Sequence, residues 1–222
     1  MMKMIGDRIT QICQQLPDTV RLIAVTKQVG ITAMREAYSA GVRNFGENRV
    51  QEAINKQAQL QDLSGIIWHL IGHLQTNKVR KALQHFHWIH SVDSLKLAQY
   101  LDQVAGELAL KPKICLQVKI APDPDKYGWN REQLLEDLPQ LNQLNNLEIK
   151  GLMTILPLGL DGAENLYLFK QVDQLAQYIK QENWSNIKMQ ELSMGMSADY
   201  LSAIQAGSTM IRLGQMIFGE RS

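Results

Sequence analysis

Eight short apolar runs alternate along the chain with longer segments of helical periodicity. The runs are Arg21–Lys27 (RLIAVTK), Val42–Gly46 (VRNFG), Ile66–Gly72 (IIWHLIG) and His87–Val92 (HWIHSV), then Lys113–Ile120 (KICLQVKI), Leu147–Ile155 (LEIKGLMTI), Lys188–Met194 (KMQELSM) and Thr209–Gly219 (TMIRLGQMIFG). Several carry β-branched or aromatic residues and stop near Gly or a polar turn, so they read as strands. Between them, ITAMREAYSAG, NRVQEAINKQAQL, SLKLAQYLDQVAGELAL and NLYLFKQVDQLAQYIK repeat apolar residues at three- and four-residue spacing, as amphipathic helices do. Gly41 closes the first of these segments, and Ser94 and Ser197 stand where N-caps belong. A further helix, over residues 3–15, precedes the first strand.

Eight strands alternating with helices predict an α/β fold, a modified TIM (β/α)8 barrel with an extra N-terminal helix. The alternative is an open doubly wound sheet. That fold usually carries a Gly-rich fingerprint after strand 1, where this chain has Thr26-Lys27-Gln28-Val29. The 222 residues hold no Pro/Gly/Ser-rich linker, so residues 1–222 are expected to form one barrel domain.

Composition narrows the function classes. With 23 Lys and Arg against 22 Asp and Glu, net charge is +1, which gives no footprint for nucleic acid. No stretch approaches 18 apolar residues, and Asp7 and Arg8 interrupt the N-terminus, so neither a membrane span nor a signal peptide is expected. The two cysteines, Cys13 and Cys115, form no CxxC pair, which fits a reducing, cytoplasmic setting. His69 and His73 are four apart, but on a strand and its turn this spacing does not gather two rings, so no metal site is expected.

Barrel active sites lie at the C-terminal ends of the strands. The polar residues expected there are Lys27, Glu47 and Asn48, His73, Ser91, Asp93, Lys119 and Asp123, followed by Met153 with Thr154, Ser193 to Ser197, and Arg212 with Gly214. Ile23, Val25 and Lys27 share one strand face. If that face is inward, the lysine closes an apolar strand and its neutral amine becomes a nucleophile for a Schiff base. In a closed barrel, strand 8 pairs with strand 1, so Arg212 can share that interior. Two neighbouring cations call for an anionic or electron-rich ligand between them. The structural alternative is an Arg212 paired with a carboxylate such as Glu191. The turns Ser193-Met194-Gly195-Met196-Ser197 and Arg212-Leu213-Gly214-Gln215 follow strands 7 and 8, where many barrels bind phosphate. These parts suit pyridoxal 5′-phosphate (PLP), and they suit equally a class I aldolase acting on a phosphorylated sugar.

The segments IAVTK, NFGENRVQE, WHLIGHLQTNK, HSVDS, GLMTI and ELSMGMSADYLSAIQAGSTMIRLGQMIFG resemble the PLP homeostasis protein family (YggS/PROSC) across residues 5–220. The resemblance implies a monomeric, or weakly associating, modified barrel similar to the N-terminal domain of alanine racemase. It implies PLP as a Schiff base on Lys27, with Arg212 approaching the pyridine nitrogen. Ser193, in the turn that holds Gly195, and the backbone of Gly214 and Gln215 are expected at the phosphate. Asn48, His73, Met153 and Thr209 are expected near the cofactor. It also implies a role in vitamin B6 and amino-acid balance without an established reaction, with PLP-dependent apo-enzymes as candidate partners. Arg212 only donates, so the ring nitrogen should stay unprotonated and the electron sink weak. The alternative is a racemase-like enzyme. Racemases of the resembling fold, however, take a second base from a C-terminal domain and a partner subunit, and a chain of this length is expected to hold no such domain.

Overall fold

The computed structural model describes residues 4–121 and 126–219. Helix α1 (Ile5–Gln15) buries Ile9 and Ile12 and leads into β1 (Arg21–Val25). The order then runs α2 (Ile31–Ser39), β2 (Asn44–Glu47), α3 (Val50–Gln59), β3 (Ile67–Leu70), a single 3-10 turn at Thr76–Lys78, α4 (Val79–His85), β4 (Trp88–Val92), α5 (Leu95–Glu107) and β5 (Lys113–Gln117). It continues with α6 (Arg131–Leu141), β6 (Glu148–Met153), α7 (Gly162–Gln181), β7 (Ile187–Ser193), α8 (Tyr200–Gln205), β8 (Met210–Leu213) and α9 (Gln215–Phe218). All eight strands are parallel and close into a barrel in chain order. The β1–β8 seam pairs Arg21 with Met210, Ile23 with Arg212 and Ala24 with Leu213.

Local signals account for most of these elements. Ser94 caps α5 by accepting the Leu97 N–H, and Asp161 and Glu164 form a capping box at α7. Gly41, with φ +98°, turns the chain out of α2 in a conformation that costs most other residues strain. Strand alternation then separates two cores. Ala24, Phe45, Leu70, Ile89, Leu116, Leu152 and Ile211 face outward and pack under the helices. Ile23, Trp88, Cys115, Met153 and Met210 form a small separate cluster inside the barrel. Among the described residues no helix is long and apolar enough to cross a membrane.

Three sequence expectations need correction. The run Thr209–Gly219 is not one strand: β8 stops at Leu213, Gly214 turns the backbone, and the apolar residues beyond it form α9. Its spacing fitted both readings, since Met216 and Ile217 follow too closely after Leu213 to reveal the change of period. Ser197 is not an N-cap, because α8 begins at Tyr200 after Asp199, whose carboxylate reaches back to the Met196 N–H at 2.6 Å. Strand β1 also ends earlier than its apolar run. Thr26 O accepts from Val29 N at 2.9 Å, so Lys27 sits in a tight turn just beyond the strand.

Candidate functional site

The C-terminal ends of the strands gather most of the predicted residues at one mouth. Lys27 follows β1, Asn48 follows β2, His73 follows β3, and Met153 ends β6. Gly195 follows β7, while Gly214 and Gln215 follow β8. Asn48 and His73 line one cleft. The backbones there lie so close that a Cβ on Gly72 would be 2.4 Å from Asn48 O. His73 is oriented by Asp93, with Nδ1 2.9 Å from Oδ2, and its ring stacks on Tyr127 at 3.8 Å.

Arg212 enters the interior from β8 and is only 3% exposed. Its Nη1 donates to Ser193 O at 2.6 Å and to Ser193 Oγ at 2.7 Å, and its Nη2 donates to Thr154 O at 2.8 Å. These acceptors are all neutral. Among the described residues, Nε makes no hydrogen bond. Burial lowers the guanidinium pKa to about 10, so it remains charged at neutral pH.

A chain of side chains continues from Arg212 across the barrel. Ser193 Oγ lies 2.8 Å from His90 Nδ1, His90 Nε2 lies 2.9 Å from His69 Nδ1, and His69 Nε2 lies 3.0 Å from Asn44 Oδ1. Its proton order follows from its last member. Asn44 Oδ1 only accepts, so a neutral His69 donates to it from Nε2 and keeps Nδ1 as an acceptor, and Ser193 Oγ, which accepts from Arg212, donates to Nδ1 of a neutral His90. A neutral His90 then donates from Nε2 to His69, which donates from Nε2 to Asn44. Burial supports the neutral forms: it holds the His69 pKa down at about 3 and that of His90 well below the usual imidazole value, with Arg21 and Arg212 adding in the same direction.

The loops after β7 and β8 offer donors. Gly195 takes φ +97°, and a Cβ there would fall 2.6 Å from Ala203 Cβ, so glycine is required for the turn to pack on α8. Its carbonyl accepts from Arg212 N at 2.9 Å, which ties this turn to β8. Among the described residues, the N–H groups of Gly214, Gln215 and Met216 meet no backbone or side-chain acceptor. Lys27, Arg212 and these amides bring donors and cations to the mouth, and the Asp199 carboxylate acts on Arg212 electrostatically, without a hydrogen bond to it among the described residues. Such a set fits a ligand that combines a phosphate with a ring-nitrogen acceptor.

A model of the alanine racemase N-terminal domain family matches residues 2–222. The pyridoxal phosphate homeostasis protein of Synechocystis is 50% identical over 212 residues, covering 96% of each chain. That of Escherichia coli is 37% identical over 214 residues, covering 94% of this chain and 89% of its own. The chain belongs to the pyridoxal phosphate homeostasis protein family. The structure of PipY from Synechococcus elongatus with PLP bound is 52% identical to it, with a TM-score of 0.93, covering 97% of this chain and 100% of that one. Alanine racemase of Clostridium difficile has a TM-score of 0.81 at 15% identity and is covered over 56% of its length, a likeness of fold. The barrel similar to the alanine racemase N-terminal domain, expected from the sequence, is thus the observed one.

In this homeostasis-family chain, two expected cofactor residues stand elsewhere. The Ser193 hydroxyl is fully buried between Arg212 and His90, so it is committed to the interior and does not point a donor at a phosphate. Thr209 precedes β8 at its N-terminal end, away from the mouth. Its Oγ1 donates to Glu191 Oε2 at 2.6 Å and accepts from Leu192 N at 2.8 Å. Parity explains Ser193, which shares the inward face with Glu191, and sequence distance from Arg212 explains Thr209. Glu191 binds Arg21 at 3.3 Å rather than Arg212. Asp123 lies outside the described residues. The sequence reading weighed His69 only as a metal ligand and missed the interior partnership of Asn44, His69 and His90. Their signal was the inward parity of His69 with Ile67 and of His90 with Trp88.

Proposed function

We propose that this chain binds pyridoxal 5′-phosphate at the barrel mouth, held covalently as a Schiff base through Lys27, and acts in PLP homeostasis and amino-acid balance. The observation that carries the reading is Arg212, a buried cation whose hydrogen-bond acceptors are all neutral, on the strand paired with β1, whose following turn carries Lys27. The 52% identity to a PLP-bound PipY supports it over nearly the full chain. When bound, PLP supplies an aldehyde that condenses with a primary amine and a ring able to withdraw electrons. Arg212 would meet the ring nitrogen as a donor, which keeps the nitrogen's lone pair unprotonated and the withdrawal weak. The amides of Gly214 and Gln215, with the Gly195 turn, would hold the phosphate, and Asn48, His73 and Met153 would line the cofactor's sides.

On this reading the protein holds and hands over PLP, as a cytoplasmic monomer serving PLP-dependent apo-enzymes, without turnover of its own. Adding PLP should give a yellow protein, and borohydride should fix the label on Lys27 by peptide mass spectrometry. Lys27→Ala should lose both. A colourless wild type would overturn the proposal. The second reading, a racemase-like enzyme, is favoured by the fold shared with alanine racemase. Deuterium exchange at Cα across a panel of amino acids, above that of free PLP, would establish it.

A further inference from the structure

The turn that carries Lys27 is held from below by a charged cluster. Glu47 ends β2 with its side chain fully buried between barrel and α3. Lys56 and Glu52, one helical turn apart on α3, complete the cluster. Lys56 Nζ donates to Glu47 Oε1 at 2.7 Å, to Glu52 Oε1 at 2.6 Å and to Thr26 O at 2.6 Å. An ammonium has three protons, so this one has an acceptor for each. Thr26 Oγ1 donates to Glu47 Oε1 at 2.6 Å, and Gln28 N donates to Glu52 Oε1 at 2.7 Å. Both neighbours of Lys27 are therefore bound by one cluster, Thr26 by Glu47 and Lys56 and Gln28 by Glu52.

The backbone gives this arrangement a purpose. Gln28 has φ +59°, a left-handed conformation that a non-glycine residue holds at a cost of about 1–2 kcal/mol. In a turn with positive φ at its third residue, glycine or asparagine normally stands there. Here Thr26 O accepts from Val29 N, and Gln28 N meets a carboxylate, a charge-assisted bond that offsets the strain. Release of that bond frees Gln28 to relax and swings the Cα–Cβ direction of Lys27. The geometry points to Glu47, Lys56 and Glu52 as positioning residues for Lys27: they preset the turn so that its amine meets the PLP aldehyde without reorganisation. This inference rests on the reading of Lys27 as the PLP-carrying residue.

The test uses the full chain. Lys56→Met leaves the Glu47 carboxylate buried without its cation and can fail to fold, so Glu52→Ala, on a side chain 27% exposed, is the main variant. It should keep the wild-type circular dichroism. The rate of PLP attachment to Lys27 should fall by roughly ten- to a hundredfold, the upper end being the scale for a reacting group misplaced by about 1 Å. Hydrogen exchange at the Gln28 amide should accelerate, and the acetic anhydride reactivity of Lys27 relative to Lys111 should change. Glu52→Gln, which keeps an acceptor for Gln28 N–H, should restore all three. A folded Glu52→Ala variant with wild-type PLP attachment, Gln28 exchange and Lys27 acylation overturns the inference. A wild type that takes no PLP overturns the functional reading instead, and the Gln28 exchange and Lys27 acylation still decide on the positioning role.

Discussion

Two arginines enter the same barrel from neighbouring strands, and they are managed in opposite ways. Arg21 on β1 is paired with Met210, and Arg212 is paired with Ile23, so the two lie about 7 Å apart along the strands. Arg21 meets the Glu191 carboxylate at 3.3 Å and lies over the Trp88 ring at 5.8 Å. Glu191 is steadied in turn by Thr209. Toward the base, then, positive charge is answered within the protein. Arg212, nearer the mouth, is far more buried and is answered by two carbonyls and a hydroxyl. Burying a charge without a counter-charge is costly. A fold that pairs one arginine directly with a carboxylate and gives its neighbour only neutral hydrogen-bond acceptors, with Asp199 acting on it without a hydrogen bond, supports the proposed role of the second as a ligand contact.

The largest effect should come from exchanging these roles. Arg212→Met removes a buried charge that has no carboxylate partner, so thermal stability should hold or rise while PLP affinity falls at least tenfold, about what one charged hydrogen bond contributes. Arg21→Met should do the reverse. It removes the cation facing Glu191, which keeps its bond from Thr209, lowers stability by about 1 kcal/mol, as for a partly exposed pair, and leaves PLP affinity near wild type. Denaturation midpoints and PLP titrations of the two variants, side by side, check the contrast. If Arg212→Met keeps full affinity, the distinction between the arginines fails.

How much of this contrast could be read from the sequence depends on which face a residue shares. The inward place of Arg212 and its nearness to β1 were legible from strand parity and barrel closure, and the place of Lys27 just beyond β1 from the end of the apolar run. The barrel itself followed from the alternation of elements, and the capping role of Ser94 followed from its position. Partnerships across the barrel were not legible. Ser193 looked like a phosphate ligand because it opens a Gly-rich turn, yet its parity aims it at His90, 103 residues away. Long-range pairings such as Asn44 with His69 depend on the stagger between strands, which no local pattern encodes. The Lys56 cluster was hidden for a related reason: a lysine on an amphipathic helix reads as solvated until its neighbours are known.

The histidine chain gives the next effect. Ser193→Ala removes one of the three acceptors for Arg212 and the donor to His90, and should cost about 1–3 kcal/mol while shifting the visible spectrum of bound PLP. The same chain sets a pH dependence. His69 and His90 titrate near 6.5 when unfolded and lower when folded, His69 at about 3. The unfolded state therefore binds protons first as pH falls. The stability they contribute is complete above pH 6.5 and drains toward pH 3, at a slope of about 1.4 kcal/mol per pH unit for each ring. His87, also lowered by burial, adds in the same sense. Urea midpoints between pH 7 and pH 5 should show the decline, and His69→Gln should flatten it. An unchanged slope in that variant would remove His69 from the account.

The smallest effect separates the base from the mouth at a single hydroxyl. Thr209→Val keeps the shape and β-branching of the side chain and removes the bonds from Oγ1 to Glu191 and from Leu192 N to Oγ1. The Arg21–Glu191 pair remains and is partly exposed, so little of the loss passes through it. The cost should be about 1 kcal/mol in stability, typical of a hydrogen bond lost from a partly buried site. PLP affinity and spectrum should not move, because Thr209 stands before β8 and Arg212 three residues further on, about 10 Å along the strand. A weakened or spectrally shifted PLP complex in Thr209→Val would mean that the base communicates with the cofactor through Glu191 and Arg21, and that the two arginines are not managed independently.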